Sequence, residues 1–227
     1  MPRRHPHDSL RNTTGITMNK DLSAALRSVG AVLALTGALT AQSTSRASVD
    51  SIGGEADAAS VRAAVSGYDL ATSTSGRYVV FSSTATNLVS PSTSGTRQVY
   101  WKDRVTGAVV LVSANLGGGE GNAASDRPVV SADGNIVAFE SAATDLVSGT
   151  FSGAVQVYVR DIAGASTSLA SVGTGGGEPN AACVFPAVSA DGNVVACHSR
   201  ATDLVAGRTG TLHPIYARHR GRSETAP

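Results

Sequence analysis

Two loops of this 227-residue chain repeat the residue types best suited to bind a ligand. Each loop reads Gly-Gly-Glu-x-Asn, so that Glu120 and Asn122 recur as Glu178 and Asn180. Carboxylate and carboxamide oxygens bind hard cations and polar ligands. We therefore predict these four residues as a candidate ligand-binding set. The alternative is that they only form and solvate turns, because one carboxylate per loop is far from a cage of six oxygens.

The chain has two cysteines, Cys183 and Cys197, which lie on either side of an Asp-Gly pair. A hairpin at that pair would place them on antiparallel strands, a residue or two from direct opposition, so that they could form a disulfide. The alternative is that both are small buried side chains at the positions of Ser125 and Phe139 in the preceding repeat. No Cys-x-x-Cys or Cys/His pair has zinc-binding spacing, and no metal site is predicted.

Nucleophilic catalysis would require a nucleophile, a base and a residue that orients the base. The histidines of the repeat region are His198, His213 and His219, all in its most degenerate copy, and no Gly-x-Ser-x-Gly motif occurs. A repeated active site would be expected to use positions that the copies share. We therefore predict that the chain is not an enzyme and binds no cofactor.

These residues lie in a repeat whose clearest unit is RPVVSADGNIVAFES, residues 127–141, which returns as FPAVSADGNVVACHS, residues 185–199. β-Branched runs flank Asp133-Gly134 and Asp191-Gly192. Because Asp-Gly favours tight turns with positive φ angles, each unit predicts a hairpin with a primed turn.

The repeat has one fixed period along the chain. Three sets of residues recur at the same spacing: Gly76, Gly134 and Gly192; Leu88, Leu146 and Leu204; Tyr100, Tyr158 and Tyr216. About four short strands per unit, at a period of about 58 residues, predict an all-β fold of propeller blades. The first copy carries about seven extra residues within 61–73.

About three four-stranded blades are predicted, which is fewer than a closed propeller usually has. An open arc would expose sheet edges that promote aggregation. The chain is therefore predicted to be either a fragment of a longer propeller or half of a six-bladed ring made by two chains. A fourth strand at 47–51 is predicted to pair with the strand around Ile215 and Tyr216 to close a ring.

The segment before the repeats, residues 1–41, predicts export. Residues 1–17 form an unstructured leader, which could be an over-long gene start, and residues 18–41 resemble a secretory signal peptide. Lys20 and Arg27 precede an uncharged run at 28–41, with cleavage expected near Ala38 or Ala41. Residues 42–217 are predicted to form the repeats and 218–227 a disordered tail. The uncharged run is short for a membrane span, so no stable span is expected after cleavage.

The composition argues against binding to nucleic acid. The formal net charge is +1, and no long Lys/Arg run creates a local basic patch. Abundant small and β-branched residues suit short strands that are joined by turns.

The pattern Pro-x-x-Ser-x-Asp-Gly-x-x-Val-Ala starts at Pro128 and again at Pro186, and Val-Tyr-Val-Arg-Asp follows at 157–161. This pattern resembles the TolB-type or WD40-like (PD40) β-propeller repeat over about residues 46–217. The first copy lacks the Pro and the Asp, and Cys197 replaces the usual aromatic residue. The resemblance implies an exported bacterial protein that binds partners, or blades that accompany a secreted hydrolase.

Together these observations predict an exported, periplasmic or secreted propeller scaffold without catalysis, which binds a protein or another ligand. The alternative is an accessory propeller fragment of a secreted hydrolase, serine-peptidase-like, that lacks its catalytic domain. A third interpretation is a relict fragment without a present function.

Overall fold

The fold was analysed in a computed structural model, which describes residues 44–69, 74–207 and 214–221. The chain divides into two units, Met1–Ser45 and Arg46–Pro227, and everything below concerns the second, apart from Thr44 and Ser45. The predicted leader and signal peptide lie outside the described residues. No helix in the described ranges is long and apolar enough to cross a membrane.

The described chain consists of thirteen strands and no helix. Their bounds are β1 (Ser60–Val65), β2 (Tyr68–Asp69), β3 (Thr74–Ser75), β4 (Tyr78–Ser83), β5 (Gln98–Asp103), β6 (Val109–Leu111), β7 (Ser125–Val130), β8 (Ile136–Ser141), β9 (Gln156–Asp161), β10 (Ser166–Leu169), β11 (Cys183–Val188), β12 (Val194–Ser199) and β13 (Ile215–His219).

Three antiparallel sheets follow one another along the chain. Blade 1 has the order β1-β4-β5-β6, blade 2 has β7-β8-β9-β10, and blade 3 has β11-β12-β13. The first strands of successive blades pack against each other, so β1, β7 and β11 form the inner side of the arc. The predicted fold class is confirmed: an all-β chain of propeller-type blades that do not complete a ring.

The seven extra residues of the first copy lie between β1 and β4, where β2 and β3 form a small additional hairpin. The third strand of the last repeat extends beyond the predicted boundary at residue 217, because β13 continues to His219. Arg220 is also ordered against the blade, since its backbone N–H donates to Asn193 O at 2.8 Å.

The Asp-Gly hairpins form as predicted, but their turns are wider than the predicted primed turn. Five residues, 131–135, connect β7 to β8, and only Gly134 has a positive φ, of 77°. The wider turn is stable because side chains satisfy its backbone: Ser131 Oγ donates to the Asp133 carboxylate and accepts from Ile136 N–H. Asp133 also accepts from Asn135 N–H at 3.0 Å, so its predicted role as a turn former is confirmed.

Blades 1 and 2 are filled by the same aromatic and leucine positions. Phe139 stacks on Tyr158 with ring centroids 6.0 Å apart, and the Tyr158 hydroxyl donates to Ala143 O. Burial is the main cause that raises the pKa of Tyr158 to about 12, and the nearby carboxylates of Glu178 and Asp145 contribute to the rise. Leu146, in the loop that follows β8, packs beneath Gly121 and is 2% exposed.

The predicted fourth strand at 47–51 is wrong. These residues form a turn and an isolated bridge between Val49 and Glu55, and they do not pair with β13. In the later copies the fourth strands, β6 and β10, end at Leu111 and Leu169, before the positions that align with residues 47–51. The buried Lys102 ammonium donates to the carbonyl oxygens of Val49 and Asp50, and to that of Gly107 in blade 1. These hydrogen bonds link residues 47–51 to blade 1.

Candidate functional site: linking loops and the inner row

The predicted Glu residues lie in loops that connect one blade to the next; we call residues 114–122 and 172–180 the linking loops. Both Glu120 carboxylate oxygens accept from Ser94 N–H, at 2.9 and 3.1 Å. Glu178 accepts from the backbone N–H and the hydroxyl of Ser152, at 2.7 and 2.9 Å. Each carboxylate therefore binds the loop between strands two and three of the preceding blade.

The predicted Asn residues bind the following blade. Asn122 Nδ2 donates to Thr144 Oγ1 at 2.8 Å, and its Oδ1 accepts from Thr144 N–H at 2.9 Å. Asn180 makes the same two contacts with Thr202, at 2.8 and 3.0 Å. In the first copy Asp57 takes this position, and its carboxylate accepts from both the N–H and the hydroxyl of Thr86.

Every linking loop thus joins two blades through one glutamate and one asparagine. The structure places Glu120 near Asn122, and Glu178 near Asn180, but their oxygens are engaged by protein groups on both sides. Asp145 and Asp203 complete the loops by accepting from the N–H of Asn122 and Asn180, respectively. This arrangement favours the turn-forming interpretation, and ligand binding by the four residues stays a prediction. No group of three or more His, Cys, Asp or Glu suited to a metal ion occurs among the described residues.

The two cysteines are joined in a disulfide at the base of blade 3. Cys183 faces Ser199 in the β11–β12 register, so Cys197 lies diagonally across the same face, with the two Cα atoms 6.0 Å apart. That separation is usual for a disulfide. Both side chains are buried, and the bond occupies the space that Phe139 fills in blade 2.

We expect reduction of this disulfide to lower the free energy of unfolding by about 3 kcal/mol, because the bond closes a loop of roughly 15 residues in the unfolded chain. Urea unfolding with and without dithiothreitol measures the loss. The double variant Cys183→Ala, Cys197→Ala is the control and should not respond to the reductant. Alkylation of two thiols in the unfolded, unreduced protein would contradict the pairing.

A second group of residues, not predicted from the sequence, lies on the inner strands. Arg62, Arg127 and Phe185 occupy the same repeat position in β1, β7 and β11, and we call them the inner row. Each lies in a β-bulge and has a left-handed φ, of 53°, 50° and 57° respectively. Non-glycine residues rarely adopt this conformation, which costs of order 1–3 kcal/mol and is concentrated at functional sites.

The first part of the inner row is an ion-pair cluster between blades 1 and 2. Asp126 Oδ2 lies 3.0 Å from Arg62 Nε and 3.1 Å from an Arg97 guanidinium nitrogen. Burial alone would raise the pKa of Asp126, but hydrogen bonds and the two guanidinium groups lower it below its ordinary value. Both arginines remain partly exposed, with 44% and 42% of their side chains accessible.

The second part of the inner row joins blades 2 and 3. The Arg127 guanidinium lies over the Phe185 ring, 4.4 Å from its centroid, and 3.5 Å from Glu140 Oε2. Glu140 also accepts from Phe185 N–H at 2.6 Å. Burial raises the pKa of Glu140 above its ordinary value, although these two contacts oppose the rise. Phe185 is itself 56% exposed.

The inner row therefore presents cationic and aromatic groups on a strained but well-supported backbone. One signal in the sequence could have revealed it: the position before Pro128 and Pro186 is aligned in all three copies yet breaks the alternation of apolar residues. Its bulge and its neighbours on other strands are not visible in the sequence.

No protein-family model matches the chain, and no curated protein matches it. Membership of the PD40 family thus stays a prediction. Among solved structures, the chain is similar to TolB from Acinetobacter baumannii, with a TM-score of 0.38 and 19% identity over 63% of this chain and 27% of that one. It is also similar to a putative TolB from Agrobacterium tumefaciens, with the same TM-score and identity over 61% of this chain and 39% of that one. The chain spans between about a quarter and two fifths of their lengths.

Proposed function

We propose that this chain is an exported, non-catalytic propeller scaffold that binds a protein partner through its inner row. The observation that carries the proposal is the recurrence of a left-handed, non-glycine residue at the same inner position of all three blades. Glycine would adopt the same φ without the strain. Its absence favours a requirement for the side chains, which contact the neighbouring blade and in Arg62 and Phe185 are also exposed.

The chemistry of the inner row suits a protein segment with acidic and apolar side chains. Arginine and aromatic residues dominate the energetics of protein interfaces. The charged side chains around the row carry a net charge of one positive unit, because there are three arginines, Arg62, Arg97 and Arg127, and two carboxylates, Asp126 and Glu140. Arg127 is already oriented over Phe185, so little side-chain entropy is lost when a partner binds.

The test is capture of a partner from an envelope extract of the host cell on the immobilised chain. The double variant Arg127→Ala, Phe185→Ala should weaken binding of that partner at least tenfold, which is the size of one strong interface contact. The matched control is Arg104→Ala, Leu116→Ala, which removes the same kinds of group from exposed positions outside the row. A partner that binds the wild type and both variants equally would refute the inner row as the binding surface.

A further inference from the structure

A cleft on the outer side of the arc is lined mostly by blade 1 and by one residue of blade 2. Its volume is about 530 Å³, which is within the range of about 300–1,000 Å³ that is usual for small-molecule sites. β6, the loop 88–93 and the linking loop 114–122 form most of the wall, and Arg160 of β9 comes from blade 2. Every residue that lines the cleft belongs to the described part of the chain.

The wall of the cleft combines apolar and polar groups. Val109, Val110 and Leu111, which form β6, are only partly buried and contribute apolar surface. Ser90 and Ser92 are exposed and contribute hydroxyl groups. Small-molecule sites typically have this composition, in which a few polar groups orient a ligand against an apolar surface. The polar group that identifies the ligand is the guanidinium on the blade 2 side.

Arg160 is the only cation among the described residues that line the cleft. One of its terminal nitrogens donates to Thr167 Oγ1 at 3.0 Å, whereas its Nε is buried and has no hydrogen-bond partner within the described chain. Burial lowers the pKa of Arg160, although the nearby Asp161 carboxylate opposes this change. The guanidinium is therefore held partly out of water, and it remains charged because arginine does not deprotonate in proteins. Buried polar groups without a partner are rare and require an explanation.

Neither of the carboxylates near the cleft neutralises Arg160. Glu120 lines the cleft, but both of its oxygens accept from Ser94 N–H. Asp161 accepts from Gly164 N–H at 2.8 Å. In the described chain neither carboxylate forms an ion pair with Arg160. The charge of the guanidinium therefore has no counterpart in the protein.

The equivalent position in blade 1 shows how the chain satisfies a cation by itself. Lys102 faces Val79 in the β4–β5 register, as Arg160 faces Val137 in the β8–β9 register. The Lys102 ammonium donates to three backbone carbonyl oxygens, whereas Arg160 donates to one hydroxyl. The fold therefore provides acceptors for the cation of blade 1, and it leaves most N–H groups of the blade 2 cation without an acceptor.

We propose that this cleft binds the carboxylate of a ligand with a short apolar body, and that Arg160 recognises the carboxylate. The remaining N–H groups of the guanidinium can donate two hydrogen bonds to one carboxylate, while the apolar body lies along β6. A phosphate is less suited, because the cleft offers one cation and also contains the Glu120 carboxylate. Both a small carboxylic acid and the C-terminus of a peptide carry the required group.

Titration of the full-length chain with sodium hexanoate tests the proposal. We expect the arginine side-chain N–H signal that is lost in Arg160→Gln to shift saturably in NMR spectra of the wild type. Arg160→Gln should weaken hexanoate binding at least tenfold in calorimetry, the effect of losing one charge-assisted hydrogen bond. The matched control Arg104→Gln removes an exposed guanidinium outside the cleft and should bind like the wild type. Equal affinities of Arg160→Gln and the wild type would overturn the proposal.

A comparison of two probes on the wild type alone remains decisive even if Arg160→Gln does not fold. Hexanamide has the same apolar body without the charge, and it should bind at least tenfold more weakly than hexanoate. Equal binding of the acid and the amide would show that the cleft recognises only the apolar body, and it would overturn the proposal.

A peptide probe distinguishes the two sources of the carboxylate. The acetylated tripeptide Ala-Val-Leu with a free C-terminus is compared with its C-terminal amide and with hexanoate. Tighter binding of the free peptide than of hexanoate supports a peptide terminus as the ligand, and the reverse order supports a small acid. No saturable binding of either carboxylate would overturn the proposal. None of these results depends on the inner row, so their failure leaves the proposed function untouched.

Discussion

Gly134→Ala is expected to lower the free energy of unfolding by about 3 kcal/mol or more, because two costs combine at this position. Gly134 has a φ of 77°, and a non-glycine residue in this region costs of order 1–3 kcal/mol. A Cβ atom built there also overlaps the ring of Tyr78, which belongs to the preceding blade. Overpacking of this kind typically costs a further 1–3 kcal/mol.

The groups around Gly134 cannot move to make room for a Cβ atom without breaking other contacts. Tyr78 is stacked on Trp101 with ring centroids 5.0 Å apart, and Trp101 Nε1 donates to Gly134 O at 2.8 Å. A shift of the tyrosine ring would therefore disturb the stacking, and a shift of the turn would break the indole hydrogen bond. This contact lies between blades 1 and 2, so the substitution weakens the interface as well as the hairpin.

Gly118→Ala is the matched control for this prediction. Gly118 has a φ of 84°, but a Cβ atom there meets nothing within 4 Å. Its substitution carries the backbone cost alone, and equilibrium unfolding in urea should show a smaller loss than for Gly134→Ala. Equal losses for the two variants would show that the contact with Tyr78 does not constrain the turn.

Phe139→Ala is expected to cost 3–5 kcal/mol, the range found when a fully buried phenylalanine is truncated. Phe139 is completely buried in the centre of blade 2, and it packs on Tyr158 and in the cluster that includes Val80 and Trp101 of blade 1. Its removal leaves a cavity that the surrounding strands cannot close. The loss should appear as a lower midpoint of urea unfolding at an unchanged m-value.

Phe185→Ala makes the same chemical change at an exposed position. Its ring contacts the Arg127 guanidinium and lies 6.3 Å from the His198 ring, so we expect a loss below about 1 kcal/mol, the size of an exposed cation–π contact. A large destabilisation by this control would mean that Phe185 serves the fold, and it would remove the main support for the inner row as a binding surface. A small loss together with loss of partner binding would support it.

Much of the fold could be predicted because its signals are local or periodic. The spacing of Gly134 and Gly192 identifies the hairpins, and the alternation around Tyr158 identifies the third strand. The position of the fourth strand was predicted less well, since residues 47–51 carry the apolar and small residues of a strand but have no partner strand there. Whether a segment pairs depends on which edge lies beside it, and sequence patterns do not contain that information.

The candidate site, like the fold, could be predicted only in part from the sequence. The recurrence of Glu120 and Asn122 as Glu178 and Asn180 was visible, and so was their location in turns. Their hydrogen-bond partners were not visible, because Ser94 lies 26 residues before Glu120 and Thr144 lies 22 residues after Asn122.

By itself, the sequence determined an all-β chain of propeller-type blades, their repeat period and the turns within them, because hairpins depend on residues that are close along the chain. Only the tertiary structure decided that the linking loops join neighbouring blades and that Arg127 lies between Glu140 and Phe185. Phe185 lies one full repeat period after Arg127, and the two meet only because successive inner strands pack side by side.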